Sequence, residues 1–271
     1  MEIVSNLKRP TTTHLYKYGD LAKPERLRHI ILENTLYFPT PVELNDPTEC
    51  MPALADQPLD EILNYLSEQF KADNPNASDE QLEEIQVKGR SFGKETLMKE
   101  MRRLLNGMLA RRYGILSLSK RKDSLPLWAH YAGEHTGYCL EFRNDCEFAT
   151  GYEVLYQEKM PLRLSREIEA YQSDFLFTKR PDWAYEEEVR ILVKSPGPRQ
   201  FSPKLLESVR LGKDVKTENI ELVLGWASKR KTPITVLQAT LNPETQNIEY
   251  LIMAVIPHLT DGFKGFILAS H

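Results

Sequence analysis

Leu127-Trp128-Ala129-His130-Tyr131, continued by His135-Thr136-Gly137, and Trp183-Ala184-Tyr185-Glu186-Glu187-Glu188-Val189-Arg190 decide how this chain is read. More than 50 residues separate the two segments. Each sets ionisable groups beside large apolar ones that a fold would bury, which is how a pocket is usually built. Read as a strand, Tyr185 to Lys194 puts Glu186, Glu188 and Arg190 on one face and Tyr185, Glu187, Val189 and Ile191 on the other. Leu125 to Tyr131 reads as a short helix and Gly137 to Phe142 as a strand, so His130 and His135 bracket a helix-to-strand junction.

Upstream, His14 to Tyr18 is a short strand on which Tyr16, Lys17 and Tyr18 alternate faces. Pro24 opens a helix whose Leu27, Ile30 and Ile31 recur at helical spacing, and Asn34 ends it. Thr35 to Phe38 concentrates aromatic and branched residues and reads as extended, while Pro39, Pro41 and Asn45-Asp46-Pro47 read as loop and turn. Leu59 to Arg112 differs in character, being helical and highly charged, with Leu97, Met101, Leu104 and Met108 as one apolar stripe. Downstream, Ile115 to Ser119, Val154 to Tyr156, Ile220 to Leu224, Ile248 to Ile256 and Phe263 to Leu268 read as extended, and Arg166 to Phe177 as helical. The expected fold class is α+β: one domain over 1–271, a mixed, largely antiparallel sheet with helices on its surfaces, and a helical insertion at about 58–112.

Lys and Arg total 35 against 39 Asp and Glu, a net charge of −4, so no broad field recruits extended nucleic acid or an anionic membrane. Cys50, Cys139 and Cys146 are an odd set without CxxC spacing, and the N-terminus lacks a signal pattern, which makes the cytosol the expected compartment. The apolar run Tyr250 to Pro257 is too short to span a bilayer and reads as a buried strand.

A carboxylate of the Glu186–Glu188 pair in a concave site can orient a ribose hydroxyl or stabilise an oxocarbenium-like centre, and the other can polarise an acceptor. Arg190 pairs with either carboxylate or meets phosphate. His130 and His135 offer hydrogen bonds, a proton shuttle or metal ligation, and Tyr131 a stackable ring. The competing structural readings are a solvent-facing strand of alternating charges, a capping role for His130, and turn roles for His135 and Asn45. His130 and His135 do not have the HExxH spacing and the cysteines lack zinc-cluster spacing, so no metal is expected. Phosphate-loop and dinucleotide glycine fingerprints are absent, which leaves nucleotide binding by another fold open.

Taken together, Leu15-Tyr16-Lys17-Tyr18, Asn34 to Phe38, Pro41 to Pro47, the two opening segments and Leu211-Gly212 resemble the DUF2971 family of mostly prokaryotic proteins, whose activity is unsettled. The order of elements also looks like a distant version of the ADP-ribosyltransferase fold. That resemblance implies a split sheet binding NAD, with a late-strand glutamate against the nicotinamide ribose. Glu188 or Glu186 matches the late carboxylate, His14, Tyr16 or Lys17 the early position, and Tyr131 the middle one. On these readings Glu188, Glu186, His130 and Tyr131 are the expected catalytic groups, and Tyr16, Lys17, Asn45, Trp128, His135 and Arg190 the expected contacts to the nucleotide. The implied activity is NAD-dependent ADP-ribosyl transfer or NAD hydrolysis. The alternative is a nucleotide-sensing module in phage defence or stress response, its charged insertion relaying the signal to a protein partner.

Overall fold

Pro24 in the first turn and Asn34 in the left-handed region bound a helix that buries Leu27, Ile30 and Ile31, the spacing of one helical face. It is one of seven helices and fourteen strands in a computed structural model that describes residues 7–46, 49–50, 53–164, 167, 170 and 172–255. In chain order the elements are β1 (His14–Gly19), α1 (Pro24–Glu33), β2 (Thr35–Phe38), β3 (Ala53–Leu54), α2 (Leu59–Asp73), α3 (Asp79–Phe92) and α4 (Lys94–Arg112). Next come β4 (Tyr113–Ser119), α5 (Leu125–Tyr131), β5 (Tyr138–Arg143), β6 (Tyr152–Glu153), β7 (Leu155–Tyr156), β8 (Leu162–Arg163), α6 (Gln172–Leu176) and β9 (Thr178–Lys179). The chain then forms β10 (Glu188–Lys194), β11 (Gly197–Gln200), β12 (Leu206–Leu211), α7 (Thr217–Ser228), β13 (Thr235–Leu241) and β14 (Ile248–Val255).

Eight strands make the main sheet in the order β14-β13-β12-β5-β1-β4-β10-β6, antiparallel throughout except for β12 and β13, which α7 joins. Three two-stranded ladders stand apart from it. β1 is paired to β5 over six residues and β4 to β10 over seven, but β1 and β4 share the single pair Tyr16↔Ser119. Beyond that pair the two halves of the sheet diverge. The main apolar core lies on the face carrying Leu15, Leu118, Leu140 and Val189, under α1 and α7. A second core packs Ile62, Leu63, Met101 and Leu105 of the insertion against Ile115, Phe175 and Phe177.

The insertion is three helices, α2 to α4. Ser78 and Gln81 form a capping box at the start of α3, and Gly93, at φ +79°, breaks it from α4. The buried stripe of α4 is Leu97, Met98, Met101, Leu105 and Leu109, so the stripe read through Leu104 and Met108 is displaced by one position, and those two sit half-buried at its margin. Ile220 to Leu224, read as extended, lies inside α7, where Val223 and Ala227, four apart, face the core and Leu222 is 45 % exposed. A short apolar run fits strand and helix alike, and here the helix length decides. Phe263 to Leu268, Ile256 and Arg166 lie outside the described residues. No helix among the described residues is long and apolar enough to cross a membrane.

The Trp-His-Tyr segment has a packing role of its own. After α5 the chain turns through Gly133, Glu134 and His135, all at positive φ, and the Gly137 carbonyl accepts the Gly212 N–H at 2.9 Å. A Cβ on Gly212 would lie 1.9 Å from the His135 carbonyl oxygen, so Leu211-Gly212 and His135-Thr136-Gly137 dock on one another only because that side chain is missing. Gly212→Ala is expected to cost about 1–3 kcal/mol, measurable as a lowered urea midpoint at unchanged slope.

Candidate functional site

Where β1 and β4 part lies a cavity of about 1320 Å³. Its lining includes Tyr16, Lys17 and Tyr18 of β1, Ile115, Ser117, Leu118 and Ser119 of β4, Arg26, His29, Ile30 and Glu33 of α1, and Thr35 to Tyr37 of β2. Tyr131, Lys179, Glu186, Glu188 and Glu49 line it too. The volume exceeds the roughly 300–1,000 Å³ typical of small-molecule sites. Gly19 lets the Tyr138 ring lie against the end of β1, since a Cβ there would meet that ring at 2.5 Å.

Glu186 and Glu188 arrive by different routes. Tyr185 and Glu186 end a 3₁₀ turn, Pro181–Glu186, and the strand begins only at Glu188, which corrects the continuous strand read from Tyr185. Pro181 favours the turn, three successive glutamates have little strand propensity, and Glu187 at φ +43° redirects the chain. Ser119 Oγ donates to the Glu186 carbonyl at 2.6 Å and the Lys120 N–H to the Glu187 carbonyl at 3.1 Å, fixing the turn beside β4.

The two carboxylates belong to a buried network. Arg190, wholly inaccessible, donates from Nε to Glu188 Oε1 at 2.8 Å and from Nη2 to Glu188 Oε2 at 2.9 Å, and also pairs with Glu49. Its Nη1 reaches the Leu176 carbonyl at 2.5 Å and Cys50 Sγ at 3.2 Å. Lys179 Nζ lies 2.6 Å from Glu186, 3.4 Å from Glu188 and 3.5 Å from Glu49, with the Trp183 ring centroid 4.8 Å away. The Tyr131 hydroxyl donates to Glu186 Oε1 at 2.6 Å. Three buried carboxylates thus share two cations, and among the described residues no third cation comes within ion-pair distance of them.

A dry surplus charge has consequences for acidity. Burial pushes the Glu188 carboxyl above the ordinary carboxylate range, with Lys179 pulling it back and Glu186 adding to the rise. Burial lowers the Arg190 guanidinium to about 9, still above neutrality, so the cation persists at pH 7. Against burial, which disfavours its charge, Lys179 is held above the usual lysine range by Glu188 and Glu186. Burial and Glu186 together keep the Tyr131 phenol protonated.

Of the residues expected from sequence, Tyr16, Lys17, Asn45, Tyr131, Glu186 and Glu188 line the cavity. Arg190 lies beneath Glu188 and braces it. Trp128 is fully buried, edge-on to Tyr18 at 5.4 Å, with Nε1 donating to the Lys122 carbonyl, and it packs the core rather than lining the cavity. His130 is exposed, 2.9 Å from the Tyr185 hydroxyl, and His135 occupies the turn before Gly137; neither lines the cavity. Lys179 and Glu49 carry no such sequence signal: neither falls in a periodic pattern or motif, and only the lysine's place seven residues before Glu186 points to the network. No group of three or more His, Cys, Asp or Glu among the described residues is arranged to hold a metal ion.

A family model described as "Protein of unknown function (DUF2971)" matches residues 127–191, a span that takes in Tyr131, Lys179, Glu186, Glu188 and Arg190. The comparisons with curated proteins and with solved structures returned no match.

Proposed function

We propose that the cavity binds NAD and that the chain cleaves its nicotinamide–ribose bond, passing ADP-ribose to an acceptor or to water. The observation that carries this reading is the surplus carboxylate charge in the lining of a cavity of about 1320 Å³. A buried anion without its own cation favours a ligand that carries or develops positive charge, and the ribosyl carbon becomes cationic as nicotinamide departs with the bonding electron pair. In this reading Glu188, braced by Arg190, offsets that charge. Glu186, held by Tyr131 and Lys179, takes the proton of the attacking hydroxyl. Tyr16, Tyr37 and Tyr138 give the lining rings for planar groups, Tyr37 being 53 % exposed at the mouth.

The purified chain is expected to release nicotinamide from NAD, alone or with cell extract as acceptor source. Absence of release under both conditions would overturn the reading. A second reading, nucleotide sensing without turnover, draws support from the insertion, where the outer helix α3 leaves Val87 63 % and Phe92 60 % exposed. Saturable NAD binding without nicotinamide release is its signature.

A further inference from the structure

Most charged groups lining the cavity have a polar partner. His29 and Glu33 pair at 2.8 Å, Glu43 accepts the Thr40 N–H at 2.7 Å, and Lys179 serves three carboxylates. Lys17 and Arg26 are left over: both line the cavity, and among the described residues neither has a carboxylate within ion-pair distance. Lys17 sits one residue past the bridging pair Tyr16↔Ser119, and its ammonium reaches only the Ser117 carbonyl, at 3.4 Å. Arg26 lies in the first turn of α1, and its charge is felt by both Lys17 and the Tyr138 phenol, so the three groups are neighbours. Lys17 also feels Glu188, whose strand partner Ser119 is the partner of Tyr16 as well, so two cations without an ion-pair partner among the described residues line the cavity beside the carboxylate network.

We propose that Lys17 and Arg26 form an anion subsite that holds the phosphates of a nucleoside diphosphate. The subsite rests on the reading above only in placing a nucleotide in this cavity; it needs no bond cleavage. Two neighbouring cations without carboxylate partners gain most from a ligand with several charged acceptor oxygens, and each lysine or arginine bond to phosphate is charge-assisted. Burial lowers the Lys17 ammonium to about 8, with Glu188 on β10 opposing the fall and Arg26 adding to it. An arriving phosphate reverses that balance, so binding draws a proton onto Lys17 once the pH exceeds the free value. The competing role is purely structural: Lys17 as a strut supplying the Ser117 carbonyl with a donor where the ladder opens.

Calorimetric titration of the full chain with ADP-ribose and with adenosine separates the two. The subsite requires ADP-ribose to bind more tightly than adenosine, and Lys17→Met and Arg26→Gln each to weaken ADP-ribose about tenfold or more while leaving adenosine unchanged. Wild-type affinity for ADP-ribose should fall about tenfold between pH 7 and pH 9, with proton uptake on binding that vanishes in Lys17→Met. Equal affinity for the two probes, or ADP-ribose binding unaltered in the variants, overturns the proposal. Arg26 is exposed, so Arg26→Gln decides the matter even if Lys17→Met fails to fold. ADP-ribose carries no nicotinamide, so a chain that binds it through Lys17 and Arg26 but never releases nicotinamide keeps the subsite and loses the glycosidic reading. Nicotinamide release indifferent to both variants does the reverse.

Discussion

Arg190→Met is expected to lower the unfolding free energy by about 3–5 kcal/mol, the usual cost of removing one partner of a buried ion pair. The guanidinium is wholly inaccessible, and its loss strands Glu188 and Glu49 in the same dry space with Lys179 as their remaining cation. For a chain of this length the melting midpoint should drop by roughly 10 °C. The double variant Glu188→Met with Arg190→Met should recover a substantial part of that loss, because it restores the wild-type surplus of one carboxylate, with Glu49 and Glu186 sharing Lys179. Thermal and urea unfolding of the two variants measure the effect. A single-variant loss below about 1 kcal/mol would mean that water reaches the network and that its charges are screened as on a surface.

Glu188→Gln is expected to cut nicotinamide release by about 10²–10³-fold while the far-ultraviolet circular dichroism stays native, the scale of losing one preorganised electrostatic group. Glutamine keeps the shape and an oxygen for Arg190 but removes the negative charge that faces the cavity. The loss should fall on kcat with little change in KM, since the charge acts on the cationic transition state more than on bound NAD. The wild-type rate should also decline as pH falls, at a higher pH than for an exposed glutamate. Glu188 must be ionised to act, and burial raises the pH at which it takes up a proton. Retained turnover in Glu188→Gln would move the reacting carbon away from this carboxylate.

Sequence makes some of this architecture legible and hides the rest for identifiable reasons. β1, α1 and β2 can be read because local signals coincide: an aromatic strand, Pro24 at a helix start, Asn34 at its end, then Thr35 to Phe38 before two prolines. α7 cannot, because Ile220 to Leu224 is a five-residue stretch, apolar but for Glu221, whose helical partner Ala227 lies beyond it. The Glu186–Glu188 pair is visible as charge among apolar neighbours, yet its geometry depends on a 3₁₀ turn and one left-handed residue, Glu187, which side-chain alternation does not reveal. Trp128 and His135 look like ligand contacts because an indole and an imidazole serve packing and binding equally well. Their burial and turn roles follow from Tyr18 and Gly212, distant in sequence. Lys179 and Glu49 enter the network only through tertiary folding, and the opening between β1 and β4 is a matter of pairing, not composition.

A crystal structure of the chain with carba-NAD, which keeps the shape of NAD but resists cleavage, tests the central claim most directly. The expected result is the analogue threaded through the opening between β1 and β4, its nicotinamide-bearing ring within hydrogen-bond distance of Glu186 or Glu188 and its pyrophosphate against Lys17 and Arg26. Binding outside this cavity, or in it with the nicotinamide end turned away from both carboxylates, would contradict the claim.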